Sequence, residues 1–395
     1  MTALVITAST LVNACGAGWS AVGDALLAGR TGLAPNDFAP AAELETYIGR
    51  VDGLERMPLP DDHAADDCRL NRLILLALSQ DGFGTAVARA RARYGATRVG
   101  AVLGTSTSGI LATELATREG LRNGEPLPLS DDFYQRRHSM YAGLRFMRSW
   151  LGLRGIGHTV STACSSSAKV FGAARRAIQA GWCDAAVVGG ADSLALSTLH
   201  GFRSLELLSR TACRPCDAER DGISIGEAAG FALLERDGDG AIAVTGCGES
   251  ADAWHMSSPH PDGAGAVRAM REAIASAGLE ASSIDYVNLH GTATPANDIA
   301  EDRAVCEALP HRPPVSSTKG WTGHALGAAG MTEALITAFA LERQWVPRTL
   351  GCTTPDGALA ASVAIDSYAA PLRHALTNSF GFGGNNCSLV LSRRA

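Results

Sequence analysis

His158–Trp182, HTVSTACSSSAKVFGAARRAIQAGW, changes character at Cys164. The residues from His158 to Thr162 are β-prone, whereas Ala168, Phe171, Ala174 and Ile178 recur at helical spacing until Gly181 stops the run. Cys164 therefore falls on a strand-to-helix elbow, at a helix N-terminus. The positive end of the helix dipole and the free backbone N–H groups there favour a thiolate, the nucleophilic form of cysteine. Ala163, Ser165 and Ser166 are small enough to let the chain turn tightly and leave room for a substrate. The competing reading is a buried structural cysteine whose serines only cap the helix. This stretch alone leaves both readings open.

The same alternation continues along the chain. ALVIT, RVGAVLG, DAAVVGGAD, AGFALLE, IAVTG, DYVNLHG and CSLVLS read as strands, and DCRLNRLILLALSQ, AGAVRAMREAIASAG and MTEALITAFALERQ as helices. Strands alternating with helices of this length imply an α/β fold with a largely parallel sheet covered on both faces. GEAAGFALLER and GGNNCSLVLSR both pass from a Gly-rich turn into a closing strand, which suggests two similar halves, 1–245 and 246–395.

Composition narrows the function. The 395 residues are 46% hydrophobic and 19% charged, ordinary for a globular protein, and the 44 glycines suggest many tight turns. A net charge of −6 without a long basic run argues against a nucleic-acid partner. The apolar N-terminus has no positive n-region and reads as a first strand rather than a signal peptide, and no apolar run reaches the ~18 residues of a membrane helix. The expected location is the cytoplasm. Ten scattered cysteines do not form a disulfide framework. Cys213-Arg-Pro-Cys216 matches C-x-x-C but lacks a second such pair for zinc.

Two histidines tip the balance for Cys164. His290 in NLHGTATPAND and His324 in SSTKGWTGHALGAAG each begin a small-residue turn after an expected strand, where a ligand can approach closely. A cysteine with imidazole partners is a sound nucleophile constellation.

With these motifs in view, the chain resembles, over nearly its full length, the elongating β-ketoacyl-[acyl carrier protein] synthases of the thiolase superfamily. The resemblance rests on STACSSS, HGTATPANDIAE, STKGWTGHALGAAGMTE and NSFGFGGNN at 378–386, in that order, with RPCDAERDGISIGEAAG and DAWHMSSPHPDG as further matching segments. It implies a thiolase-like layered α-β-α-β-α fold of two pseudo-symmetric halves, most simply a dimer with the strand before Cys164 near the interface. It implies no organic cofactor and no metal. The activity implied is decarboxylative condensation of malonyl carrier protein with an acyl chain held on Cys164. His290 and His324 would stabilise the enolate, and the backbone N–H groups of Cys164 and Phe382 the acyl-transfer oxyanion. Lys319 would support the histidines. Phe382 would act as a gate, Thr292 and Thr294 would hold the pantetheine arm, and Glu333, grouped with these substrate-side residues, would be free to pair with Lys319.

Three departures stand out. ACSSS resembles polyketide-type synthases as much as those of primary fatty acid synthesis. Cys216 replaces the usual aromatic residue. Glu206 stands near where many relatives carry an arginine for docking the acidic carrier, with Arg203, Arg136 and Arg137 as substitutes. The partner is thus an acyl carrier protein, and the assembly a homodimer or a heterodimer with a homologous subunit. Among rivals, Gly222-Ile-Ser224-Ile-Gly226 fits the G-x-S-x-G of serine hydrolases, but a strand rather than a helix follows it. A chain-length subunit would lack the cysteine, a thiolase would carry a second cysteine as base, and an initiating synthase would have Asn in place of His324.

Overall fold

The computed structural model describes residues 3–124 and 130–394. Ten of the twelve strands of the main sheet frame the site: β1 (Leu4–Asn13), β2 (Val99–Gly104), β3 (Gly157–Val160), β4 (Ala185–Asp192), β5 (Ala228–Glu235), β6 (Ile242–Ala251), β7 (Tyr286–Asn288), β8 (Pro314–Ser316), β9 (His374–Gly381) and β10 (Asn385–Arg393). The first five lie in the order β1-β5-β4-β2-β3 and the second five in the order β6-β10-β9-β7-β8. Each block has the same pairing, antiparallel, antiparallel, parallel, parallel. The blocks meet where β1 pairs briefly with β6 through Leu4–Val244 and Val5–Ala243.

Seven helices cover these blocks: α1 (Arg69–Leu78), α2 (Phe83–Tyr94), α3 (Ala142–Leu151), α4 (Ser166–Gln179), α5 (Ala264–Ala277), α6 (Pro295–Ala308) and α7 (Ala329–Arg343). α4 and α7 pack on each other and on strands of both blocks, whereas α1–α3 cover the outer face of the first block, and α5, with α6 packed on it, the outer face of the second. The result is five layers, α-β-α-β-α. Burial follows: α7 is apolar around most of its circumference and buried from Ala329 to Leu341, as a helix between two sheets must be. The strands beneath are buried along both faces, β4 throughout, and so read as continuous apolar runs rather than alternating ones.

Close packing of the middle layer fixes the elbow. A Cβ on Gly104 would come within 2.4 Å of the Ser167 Cα, so only glycine at the end of β2 lets the start of α4 approach the sheet this closely. The serines answer the question their cluster raises. Ser166 Oγ accepts from the Thr162 N–H at 2.8 Å, Ser165 Oγ donates to the Thr162 carbonyl at 2.9 Å, and Ser167 Oγ accepts from the Met331 N–H at 2.8 Å, tying α4 to α7. Among the described residues no helix is long and apolar enough to cross a membrane.

Candidate active site

Cys164 lies in the turn between β3 and α4, directly after Ala163, whose φ of 51° is left-handed for a residue with a Cβ. Such strain persists only where surrounding contacts over-determine it, and the serine staples supply them. His290 follows β7, while Lys319 and His324 lie in the long turn between β8 and α7. Both histidines are thus at the carboxyl ends of parallel strands, where doubly covered sheets place ligands.

The three side chains converge. His324 Nε2 is 3.0 Å from Cys164 Sγ. The two imidazoles meet edge to face with centroids 5.3 Å apart, and the donor atoms of Cys164, His290 and His324 all lie within 4.8 Å of one another. A cysteine and two histidines are also of the type that binds zinc, but here the thiol and one imidazole are bonded to each other. Lys319 Nζ approaches His290 Nδ1 at 3.4 Å and donates to the His290 carbonyl and to Glu333 Oε1.

Burial governs the protonation states. It pushes the Cys164 thiol up to about 12, against the pull of Lys319 and of the Phe382 N–H. At a site 6% exposed, loss of water thus opposes the thiolate that the helix N-terminus favours. Burial, reinforced by the Lys319 charge, holds both imidazoles well below their ordinary range. They are neutral near pH 7. Burial also raises the Glu333 carboxyl to about 7, although Lys319 opposes this.

A cavity of about 380 Å³ opens onto the trio. Its walls include Cys164, His290, His324, Thr292, Thr294 and Phe382. Thr292 and Thr294 face it with their hydroxyls 2.9 Å apart, and Phe382 is half-buried against Phe202, with centroids 5.5 Å apart. Gly381 is required at the floor: a Cβ there would lie 2.8 Å from the Thr162 carbonyl and 3.2 Å from the Cys164 amide nitrogen, covering that N–H. Glu333 and Lys319 do not line the cavity. Glu333 is thus not placed to touch substrate, since its carboxylate is spent on Lys319 behind the histidines.

Other sequence-level candidates are accounted for elsewhere. The Cys213 and Cys216 thiols are free and buried, and Cys213 Sγ donates to the Lys319 carbonyl at 3.4 Å. Ser224 is buried, its Oγ accepting from the Cys213 N–H at 3.0 Å, so it is no exposed nucleophile. Arg136 is bound to Asp132 at 2.6 Å and Asp66 at 3.3 Å, and Arg137 to the Ala64 and Ala65 carbonyls while stacking over Phe133. Both remain partly exposed. Arg203 and Glu206 are exposed.

Two carboxylates were not singled out from the sequence. Asp192, at the end of β4, accepts from Thr105 Oγ1 at 2.5 Å and from the N–H groups of Ser106, Thr107 and Gly327 at 2.9, 3.0 and 2.7 Å, joining the β2 turn to the His324 turn. Glu301 accepts from the His290 and Gly291 N–H groups at 2.8 Å each. An acid closing the otherwise apolar run of β4 was the available signal for Asp192, and for Glu301 an acid on the helix after the His290 turn.

Comparison with known proteins agrees with this arrangement. Residues 71–240 match the N-terminal domain of the β-ketoacyl synthases and residues 242–353 their C-terminal domain. The 3-oxoacyl-[acyl-carrier-protein] synthase 2 of Vibrio cholerae is 38% identical over 75% of this chain and 76% of its own. The chain belongs to the β-ketoacyl synthase family. As a β-ketoacyl synthase it is a condensing acyltransferase. The chloroplastic synthase I of Hordeum vulgare is 31% identical over 98% of this chain and 88% of its own. Among solved structures, a ketosynthase in complex with its chain length factor from Xenorhabdus doucetiae is similar over 100% of this synthase and 98% of that chain, with a TM-score of 0.90 and 36% identity.

Proposed function

We propose that Cys164 accepts an acyl chain from a carrier-protein phosphopantetheine thioester, and that malonyl carrier protein then loses carbon dioxide and attacks the acyl-cysteine to give a 3-ketoacyl carrier protein. The observation that carries this reading is the 3.0 Å approach of His324 Nε2 to the Cys164 thiol beside a second neutral imidazole in one cavity. A thiol held neutral by burial needs a base at the moment of attack; His324 is within reach to take its proton and to pass it to the departing pantetheine sulfur, which leaves as the free thiol and returns His324 to the neutral form. The tetrahedral oxyanion is held by the Cys164 and Phe382 N–H groups. Decarboxylation then builds an enolate oxygen, to which His290 and His324 donate hydrogen bonds in a site shielded from water. Lys319, itself held by Glu333, keeps His290 in place and neutral. Thr292 and Thr294 bind the pantetheine arm, and Phe382 gates the cysteine.

We further read 1–245 and 246–395 as diverged copies of one unit, which the repeated strand order supports, and place the protein in the cytoplasm. A second reading is favoured by the solved ketosynthase that pairs with a chain length factor: this chain as the catalytic subunit of such a heterodimer in a polyketide or polyene pathway. β3 ends the sheet with half-buried side chains, an edge suited to a homologous subunit in either assembly.

The test is intact mass after incubation with an acyl carrier-protein thioester, wild type beside Cys164→Ala, followed by malonyl carrier protein. An adduct on the wild type alone, discharged as a 3-ketoacyl product, is expected. No adduct from any thioester, alone or with a partner subunit, overturns the reading.

A further inference from the structure

We infer that the carrier docks on this chain through an apolar tip formed by Trp254 and Met256 with Leu205, rather than through a basic patch; this rests on the function proposed above. A phosphopantetheine arm has finite reach, so the body of the carrier must sit over the mouth of the cavity. One side of that mouth is lined by Leu205, Asp252, Ser257, Ser258 and Pro259, and the chain between Asp252 and Ser257 loops out beside it. From it project Met256, 78% exposed, Trp254, 58%, and Leu205, 50%. Grouped exposed side chains of this size mark an interaction site, whereas single ones need no explanation.

The tip is held in place. The Met256 carbonyl accepts from the Gly383 N–H at 2.7 Å, the Asp252 N–H donates to the Gly384 carbonyl at 2.9 Å, and Asn386 Nδ2 donates to Asp252 Oδ1 at 2.7 Å. Trp254 packs on the His260 ring with centroids 4.8 Å apart. A fixed tryptophan loses little entropy on binding, which is why such residues dominate interface energetics. Charge at the mouth is mixed: beside Leu205 the exposed Glu206 opposes an acidic partner while the exposed Arg203 favours one, so no uniform basic patch lies there. The partner that fits presents an apolar patch around its phosphopantetheine attachment point.

The test compares two donors of the same octanoyl group, a loaded acyl carrier protein and free octanoyl-pantetheine, by the rate of Cys164 acylation in wild type, Trp254→Ala and Met256→Ala. Trp254→Ala is expected to raise the KM for the carrier donor about tenfold and to leave the pantetheine donor unchanged, with weak dependence on salt in the wild type. An unchanged KM for the carrier, an equal loss with both donors, or a steep salt dependence that Trp254→Ala does not alter overturns the inference. So does a change in oligomeric mass of Trp254→Ala, which would make the tip a contact between copies of the chain. Failure of both donors on the wild type would instead count against the proposed function.

Discussion

The two halves of the molecule carry the same strand order and the same turn positions, yet arm them differently. After β3 a short turn bends through the strained Ala163 and presents Cys164 at the start of α4. After β8 the corresponding turn is long, buries Lys319 and presents His324 before α7. The contrast repeats one strand over. After β7 stands His290, braced by Glu301, whereas after β2 stand Thr105, Ser106 and Thr107, closed onto Asp192. A repeated scaffold thus delivers equivalent turns to one point, and residue identity then divides the labour. In the function proposed above, one half would supply the nucleophile and the other the imidazoles, so that neither half alone would contain the chemistry.

The division can be broken at its sharpest point by Cys164→Ala, which is expected to lower condensation by on the order of 10⁴-fold or more in a product assay with malonyl carrier protein. Arming of the second half is tested by His290→Ala and His324→Ala. Each is expected to slow malonyl decarboxylation by about 10²–10³-fold, and His290→Ala to leave more of Cys164 acylation intact than His324→Ala does. Stopped assays of the two half-reactions would separate them; equal losses in both steps for His290→Ala would contradict the assignment.

The supports give smaller effects, read by denaturant unfolding. Glu333→Gln leaves Lys319, 1% exposed, without its buried counter-charge and should cost about 3–5 kcal/mol. Asp192→Asn turns one acceptor oxygen into a donor facing other donors, at a cost of about 1–3 kcal/mol. A neutral outcome for Asp192→Asn would mean that the turns of the two halves are held together elsewhere.

The smallest effects are in pH. His290 and His324 are depressed below their ordinary value of 6.5, so the folded state binds fewer protons than the unfolded one below that pH. Their contribution to stability is complete above 6.5 and is lost as pH falls. The Cys164 thiol, raised from 9 to about 12, acts in the opposite direction: its contribution is complete below pH 9 and is lost as pH rises towards 12. Neither imidazole should produce a break near pH 6.5 in condensation, because both stay neutral through that range. A break there that Glu333→Gln removes would belong to Glu333, raised to about 7, whereas one that survives it would mean that an imidazole is hydrated and titrates normally.

Much of this was legible in the chain. The change of period at Cys164, the His290 and His324 turns and the Gly-rich loop around Phe382 are local patterns, because strand, elbow and helix are set by β-branching, helical spacing and small residues within a few positions. The alternation of strands and helices likewise determined the α/β class. What only the tertiary structure decided depends on burial and on contacts far apart in sequence. The burial that opposes a thiolate at Cys164 could not be read from the helix N-terminus, because desolvation is a property of the packed site. Glu333 was grouped with substrate-side residues while also being offered as a partner for Lys319; the fold gives it the lysine and keeps it out of the cavity. Asp192 drew no notice because its donors lie 85 to 135 residues away along the chain. Sequence named the cysteine and histidines that converge in the cavity, since their turns are written locally; folding set their charge states and supports, since those depend on which distant groups exclude water from them.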